Sequence, residues 1–324
     1  NSIEMLELGR YQVSAVTDGT FALDGGAMFG IVPKALWEKQ QPADDKNRVS
    51  LALRCLLVTD TESKRRVLID TGIGDKWDAK HAAMYKIDRG AGIPGALAKH
   101  GLTPDDITDV VVTHLHFDHA GGLTRRNAAG ALEVSYPKAT LHLQRRNWLW
   151  AHHPTEKDGG SYREENFDVL QHSGQLHLLE GATELFPDFE LIISEGHTVA
   201  LQLPRIHGDN THLTYCGDLI PTRAHLKVSW VMAYDLYPLE NRERETGLGR
   251  VGKLEAPMSA RAFCDRLSSL GMHVLRYVGE PERQIRKVAL CTGAGSDFCS
   301  NASSVGADLY LTAEVKHHHA LKRN

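Results

Sequence analysis

The sequence predicts an α+β protein. Three observations carry this: β-branched or alternating apolar runs dominate the first 220 residues, tight Gly-containing turns separate them, and shorter helical patterns are interspersed. The 324 residues are 42% hydrophobic and 24% charged, enough to bury a substantial core as one large domain or two ordinary ones.

Taken in order, "YQVSAVTDGTFALDGG", "SLALRCLLVTD" and "RRVLIDTG" read as strands joined by turns. "IPGALAKHG" reads as a helix that Gly101 ends, and Thr103 with Pro104 then caps and opens a short helical turn. "DVVVTHLHFDHAGG" begins as a strand over 109–113 and empties into a histidine-rich loop, whose Gly121 and Gly122 permit close backbone approach. "ATLHLQ", "FELIIS", "LQLPRI" and "HLTYCGDL" are four further strand-like runs. Between them, the polar stretch from His152 to Glu165 reads as a solvated connection first and a substrate lid second. Texture changes near residue 240, where "LENRERETGLGRVGKLEAP" is charged and non-periodic, the best candidate boundary in the chain. Two domains follow, 1–239 and 240–324. The second is an α/β segment with a helix at 258–270, strands at 273–278 and 287–291, a Gly-rich turn, a helix, and a strand "ADLYLTAEV" that leads to His317, His318 and His319.

Composition excludes several classes. A net charge of -4 offers no electrostatic footprint for nucleic acid or an anionic membrane. No apolar run approaches the roughly 20 residues a membrane span needs. The opening "NSIEMLELGR" lacks the basic and apolar regions of a signal peptide, so a cytoplasmic location is expected. The five cysteines form no C-x-x-C pair, which argues against a zinc ribbon or disulfide framework, and Cys216 reads as a buried small hydrophobe.

"THLHFDHAGG" (113–122) is the chemically informative stretch. Even with 18 histidines in the chain, His-x-His-x-Asp-His arises by chance only on the order of a few times in a thousand. Imidazole and carboxylate donors suit zinc, manganese or iron. His114 and His116, at i and i+2 beyond a strand, can face one ion, and Asp118 and His119 a second. His197 in "ISEGHT" and Asp218 in "YCGDLIP" each follow an apolar run and border a Gly, the form expected of strand-end ligands. Asp70, ending "VLID", suits the orientation of a ligating imidazole better than direct ligation.

"LIDTG", "THLHFDHAGG", "EGHT" and "CGDL" occur in an order that resembles the metallo-β-lactamase superfamily. "DGGAMFGIVPKALW" and "GDLIPTRAHL" resemble its lactonase and organophosphorus-hydrolase branch. The resemblance covers about residues 5–239 and implies an αββα sandwich with two divalent ions at one edge, zinc foremost and manganese, iron or cobalt as alternatives. It further implies that His114, His116 and His197 hold one ion, Asp118 and His119 the other, and that Asp218 bridges. Met28, Phe29 and Ile31 would line an apolar substrate pocket, His225 would lie near the scissile bond, and Asp118 would act as general acid/base. Hydrolysis of an ester-like bond follows, of lactones first, with phosphotriesters as promiscuous substrates, and a homodimer is compatible with this class.

The chain departs from that family at one point. The histidine that completes the family's second metal, in a Phe-Glu-His-Asp context, is absent, and from about 246 the sequence resembles the GTP cyclohydrolase type-two-like dinuclear metal protein family instead. The chain therefore reads as a fusion of two lineages, with one of His317 to His319 as the candidate last ligand. The competing readings are a metal-binding scaffold with a crippled site, and a β-lactamase or thioesterase of the same fold.

Overall fold

The computed structural model describes residues 5–156, 158–227, 230–235, 249–269, 277–291 and 299–312. Strands and helices are mixed, as an α+β protein requires. The chain divides into two compact units, one of Asn1–Met28 with Lys34–Leu226, the other of Phe29–Pro33 with Lys227–Asn324.

The first unit is built on two sheets. Its strands, in chain order, are β1 (Met5–Leu8), β2 (Tyr11–Asp24), β3 (Arg48–Asp60), β4 (Arg66–Ile69), β5 (Asp109–Val111), β6 (Thr124–Arg126), β7 (Leu132–Val134), β8 (Thr140–Gln144), β9 (Leu176–Leu179), β10 (Thr183–Phe186), β11 (Phe189–Ser194), β12 (Leu201–His207) and β13 (His212–Thr214). A seven-stranded sheet runs β1-β2-β3-β4-β5-β8-β9, a four-stranded sheet runs β10-β11-β12-β13, and β6 with β7 forms a separate hairpin. β1 to β4 pair antiparallel, whereas β4, β5, β8 and β9 pair parallel.

Side-chain alternation splits the core along β5. Val111 joins Tyr11, Val58, Ile69, Phe189 and Ile206 in one apolar cluster, which draws on both sheets. Val110 and Val112 join a second cluster with Ile93 and Leu97 of a helix at Gly92–Ala98. Such a strand, buried on both faces, is written as the continuous apolar run 110–112. Gln202 of β12 stitches the two sheets: its Nε2 donates to Val112 O at 2.6 Å and to His142 O at 2.9 Å.

Gly101, at φ +70, follows the Gly92–Ala98 helix, and Thr103 donates through N and Oγ1 to Asp106 at the turn Pro104–Asp106. In β2 a register shift between Thr17 and Thr20 turns Asp18 inward, where it is fully buried. There its carboxylate accepts from Arg89 and from the backbone N–H groups of Ile73, Gly74 and Ile93, so one side chain fixes the loop that follows β4.

Two expectations change in the first unit. The stretch 152–165 is not a solvated connection. It leaves a helix at Arg145–His152 and winds through short 3-10 turns that carry Tyr162, and then Phe167 and Leu170, into the core. Tyr162 is the one core side chain among the described residues of 152–165, too little for any periodic pattern to show. Cys216 is a half-buried free thiol rather than a core residue.

The second unit contains β14 (Gly249–Ser259), β15 (Gln284–Cys291) and β16 (Leu309–Thr312), with helices at Ala260–Ser269 and Cys299–Ser304. β14 pairs antiparallel and β16 parallel with β15, around a small core of Ala260, Ile285 and Val288. The stretch 249–257, read from sequence as a non-periodic boundary, is thus a strand. A register shift between Lys253 and Met258 breaks the alternation that would have betrayed it. The helix begins two residues later than expected and β15 three residues earlier. Most of the expected strand 273–278, the Gly-rich turn after Cys291, and His317, His318 and His319 lie outside the described residues. No helix among the described residues is long and apolar enough to cross a membrane.

Candidate metal centre

The candidate site lies at the C-terminal ends of the parallel strands, the edge where open sheets place their functional loops. β4 ends in Asp70, β5 runs out into the histidine loop, and β8 leads to Asn147. From the four-stranded sheet, the β11–β12 connection brings His197 and the turn after β13 brings Asp218.

Glycine lets the histidine loop seat against its support. A Cβ at Gly121 would stand 2.1 Å from Ile73 O, and one at Gly122 would stand 2.3 Å from Thr71 O. Backbone therefore packs on backbone there, which only glycine allows. His119 O accepts from Thr71 N at 2.8 Å and from Thr71 Oγ1 at 2.9 Å, locking the far side of the loop.

Two groups of donors converge. His114, His116 and His197 form one, and His114, His119 and Asp218 form the other, with the donor atoms of each group within 4.8 Å of one another. Asp218 faces both: its Oδ1 lies 3.2 Å from His119 Nε2 and its Oδ2 lies 3.3 Å from His197 Nε2. Asp118 belongs to neither group and stands beside the second, 3.5 Å from His119 Nε2. Asp70 is held behind the donors. It accepts from Thr113 N at 2.7 Å and from Thr113 Oγ1 at 2.9 Å, and its Oδ2 takes His119 Nδ1 at 2.7 Å. Asp70 does this at φ +58, a left-handed conformation that Asp tolerates better than most residues.

Electrostatics sort these groups. Burial, reinforced by neighbouring imidazoles, pushes the pKa of His114 and His116 well below the ordinary histidine value, so both rings are neutral and offer lone pairs. Burial acts the same way on His119, but the carboxylates of Asp218, Asp118 and Asp70 outweigh it and raise its pKa well above the ordinary value. Burial pushes Asp118 up to about 6, with His119 opposing and Asp218 adding to the rise. Asp218 goes the other way: burial disfavours its charge, yet His119, His197 and His116 hold it well below the usual carboxylate range.

These residues fit a divalent metal ion. Nε2 of His114 is buried with no hydrogen-bond partner, while its Nδ1 lies 3.0 Å from Thr113 Oγ1. His116 Nδ1 faces His197 Nε2 at 3.0 Å. Nε2 of His116 is likewise buried with no hydrogen-bond partner.

The remaining sequence-predicted residues are placed as follows. Met28 is buried, Phe29 is fully buried, and Ile31 is 47% exposed. His225 is buried, with Nε2 donating to Met28 O at 2.8 Å and Nδ1 accepting from Thr222 Oγ1 at 2.7 Å. Sequence reasoning missed Asn147, Tyr162 and Thr198. Asn147, fully buried, accepts from Leu115 N at 3.0 Å and donates to Val199 O at 2.8 Å, touching the backbone on both histidine-bearing loops. A polar residue interrupting the apolar face of "RRNWLWAH" was the only signal available.

This is the fold of metal-dependent hydrolases. A probable metal-dependent hydrolase from Staphylococcus aureus is 33% identical, with a TM-score of 0.66 over 72% of this chain and 81% of that one. AidC, a dizinc quorum-quenching lactonase, shares the fold at 21% identity (TM-score 0.54, 68% of this chain and 75% of that one). So does the hydrolase AbOPH of the beta lactamase superfamily, at 19% identity (TM-score 0.53, 67% and 74%). The chain belongs to the Duf34/NIF3 (NGG1p interacting factor 3) family, whose profile matches residues 101–324. Curated relatives include the GTP cyclohydrolase 1 type 2 homolog of Halalkalibacterium halodurans, 40% identical over 87 residues (26% of this chain, 23% of that one). That of Bacillus subtilis is 38% identical over 91 residues (27% and 24%). The chain thus spans about a quarter of the length of these curated relatives.

Proposed function

We propose that this protein is a dinuclear metal-dependent hydrolase of ester-like bonds, with lactones as its preferred substrates and phosphotriesters as promiscuous ones. The observation that carries the reading is the convergence of His114, His116 and His197 on one side of Asp218 and of His114 and His119 on the other. Bound divalent ions, zinc foremost, supply Lewis acidity toward the scissile carbonyl or phosphoryl oxygen and lower the pKa of water. The chain does the rest. Neutral His114 and His116 present lone pairs, Asp218 spans the two donor groups, and Asp70 orients His119. Asp118, beside the second donor group, is placed to receive and pass on a proton, as a general acid/base requires.

Preference for apolar-substituted lactones is supported by the apolar stretch "GAMFGIV" and by an aromatic group beside the histidine loop. There Trp77 and Tyr85 pack on Phe117 with ring centroids 5.3 and 5.4 Å away. His225 is assigned near the scissile bond, and Met28, Phe29 and Ile31 to the substrate's apolar part, on the same resemblance.

The test is a steady-state comparison of acyl lactones, paraoxon-like triesters and penicillins on protein of measured metal content. The reading expects kcat/KM to be highest for a lactone. A penicillin exceeding every lactone would move the protein to the β-lactamase reading, and one bound metal or none without turnover of any ester would favour the scaffold.

A further inference from the structure

Beyond the donors themselves, three buried side chains from three different segments join the two loops that carry His116 and His197. Asn147, at the start of the Arg145–His152 helix, accepts from Leu115 N between the first two histidines and donates to Val199 O, two residues after His197. Its Nδ2 also reaches Thr198 Oγ1 at 3.4 Å. Thr198 Oγ1 in turn shares a hydrogen bond of 2.5 Å with the Tyr162 hydroxyl. Tyr162 then closes the circuit. Its backbone bridges that of His116, and its ring lies against the His116 imidazole at a centroid distance of 4.8 Å. Asn147 is 0%, Thr198 1% and Tyr162 8% exposed, so all these bonds are shielded from competing water.

His116 and His197 arrive from different sheets and are 81 positions apart, so nothing local fixes their 3.0 Å separation. We infer that Asn147, Thr198 and Tyr162 are positioning residues that set the spacing of His116 and His197 and thereby the affinity and geometry of the metal bound between them. None of the three is itself a ligand in either donor group. The inference rests on the metal-centre reading above, and it assigns a role to the stretch 152–165, which reaches the centre through Tyr162.

The test uses full-length protein stripped of metal and titrated with zinc and with cobalt(II), whose visible absorption reports ligand geometry directly. The wild-type titration comes first: no tight binding there would overturn the metal-centre reading and this inference with it. Given wild-type binding, Tyr162→Phe, which keeps the ring and loses only the hydroxyl, should weaken zinc roughly 10-fold and shift the cobalt bands, the scale at which partners behind a ligand act. Thr198→Val should do the same, Thr198→Ser should restore wild-type behaviour, and Tyr162→Phe combined with Thr198→Val should cost no more than either alone. Asn147→Ala risks misfolding, so it is replaced by Asn147→Asp, which keeps the acceptor for Leu115 N and loses the donor to Val199 O; it too should weaken zinc. Wild-type zinc affinity and an unaltered cobalt spectrum in Tyr162→Phe and Thr198→Val would overturn the clamp while leaving the metal centre standing. Additive losses in the double variant would also overturn it.

Discussion

β5 has a histidine cluster at each end, and the two clusters differ in one physical respect. At its start, Asp109 takes His142 Nε2 at 2.8 Å and Arg65 at 2.7 Å, and His142 Nδ1 meets His177 Nδ1 at 3.0 Å. Both ring nitrogens of His142 therefore have protein partners. Beyond the other end of β5, His114 and His116 each keep a buried Nε2 with no such partner. Composition is nearly the same at both ends. A satisfied cluster adds to the sheet's stability, whereas one left short of partners is held ready for a cation.

The comparison breaks most visibly through His116. Replacing it by Ala should remove most bound metal and lower hydrolysis by more than the roughly 10- to 100-fold that loss of a partner behind a ligand costs. Elemental analysis and a lactone assay check this, and unchanged metal content would sink the assignment. Asp70→Asn should weaken the metal shared by His119 and Asp218 by roughly 10- to 100-fold, because the imidazole keeps a neighbour but loses its charged one. Asn also tolerates the left-handed backbone at this position, so circular dichroism should show the fold intact while titration shows the loss.

The other end of β5 should behave oppositely. His142→Phe should cost about 1–3 kcal/mol of stability by leaving Asp109 one donor short. Metal stoichiometry should be unchanged. The smallest effect expected is one of pH. Burial works against the Asp109 charge, but bonds from His142, Thr108 and Arg65 prevail and hold its carboxyl below the usual range. A depressed folded-state pKa adds stability above the unfolded value of about 3.9, and that stability is lost as pH falls through the folded value. Urea unfolding of metal-free Asp109→Asn should therefore show a deficit against wild type at pH 7 that closes below about pH 4. A deficit independent of pH would assign the effect to packing.

The histidine loop is legible in sequence because its donors are neighbours in the chain and follow an apolar run. His197 and Asp218 are legible for a related reason, since a polar residue beside Gly at a strand end has few structural uses. What holds them is not legible. Asn147 follows two arginines and Thr198 follows His197, so neither stands out along the chain, and Gln202 and Asp18 act through a sheet-to-sheet register and a strand irregularity that no periodicity encodes. The strand at 249–259 escapes notice for the same reason, because its register shift erases the alternation.

A crystal of the zinc-loaded protein, measured at the zinc absorption edge, should show two anomalous peaks. One should be enclosed by His114, His116 and His197, and a second should lie against His119 and Asp218. A fully zinc-equilibrated crystal with no peak among His114, His116 and His197 would contradict the metal-centre reading.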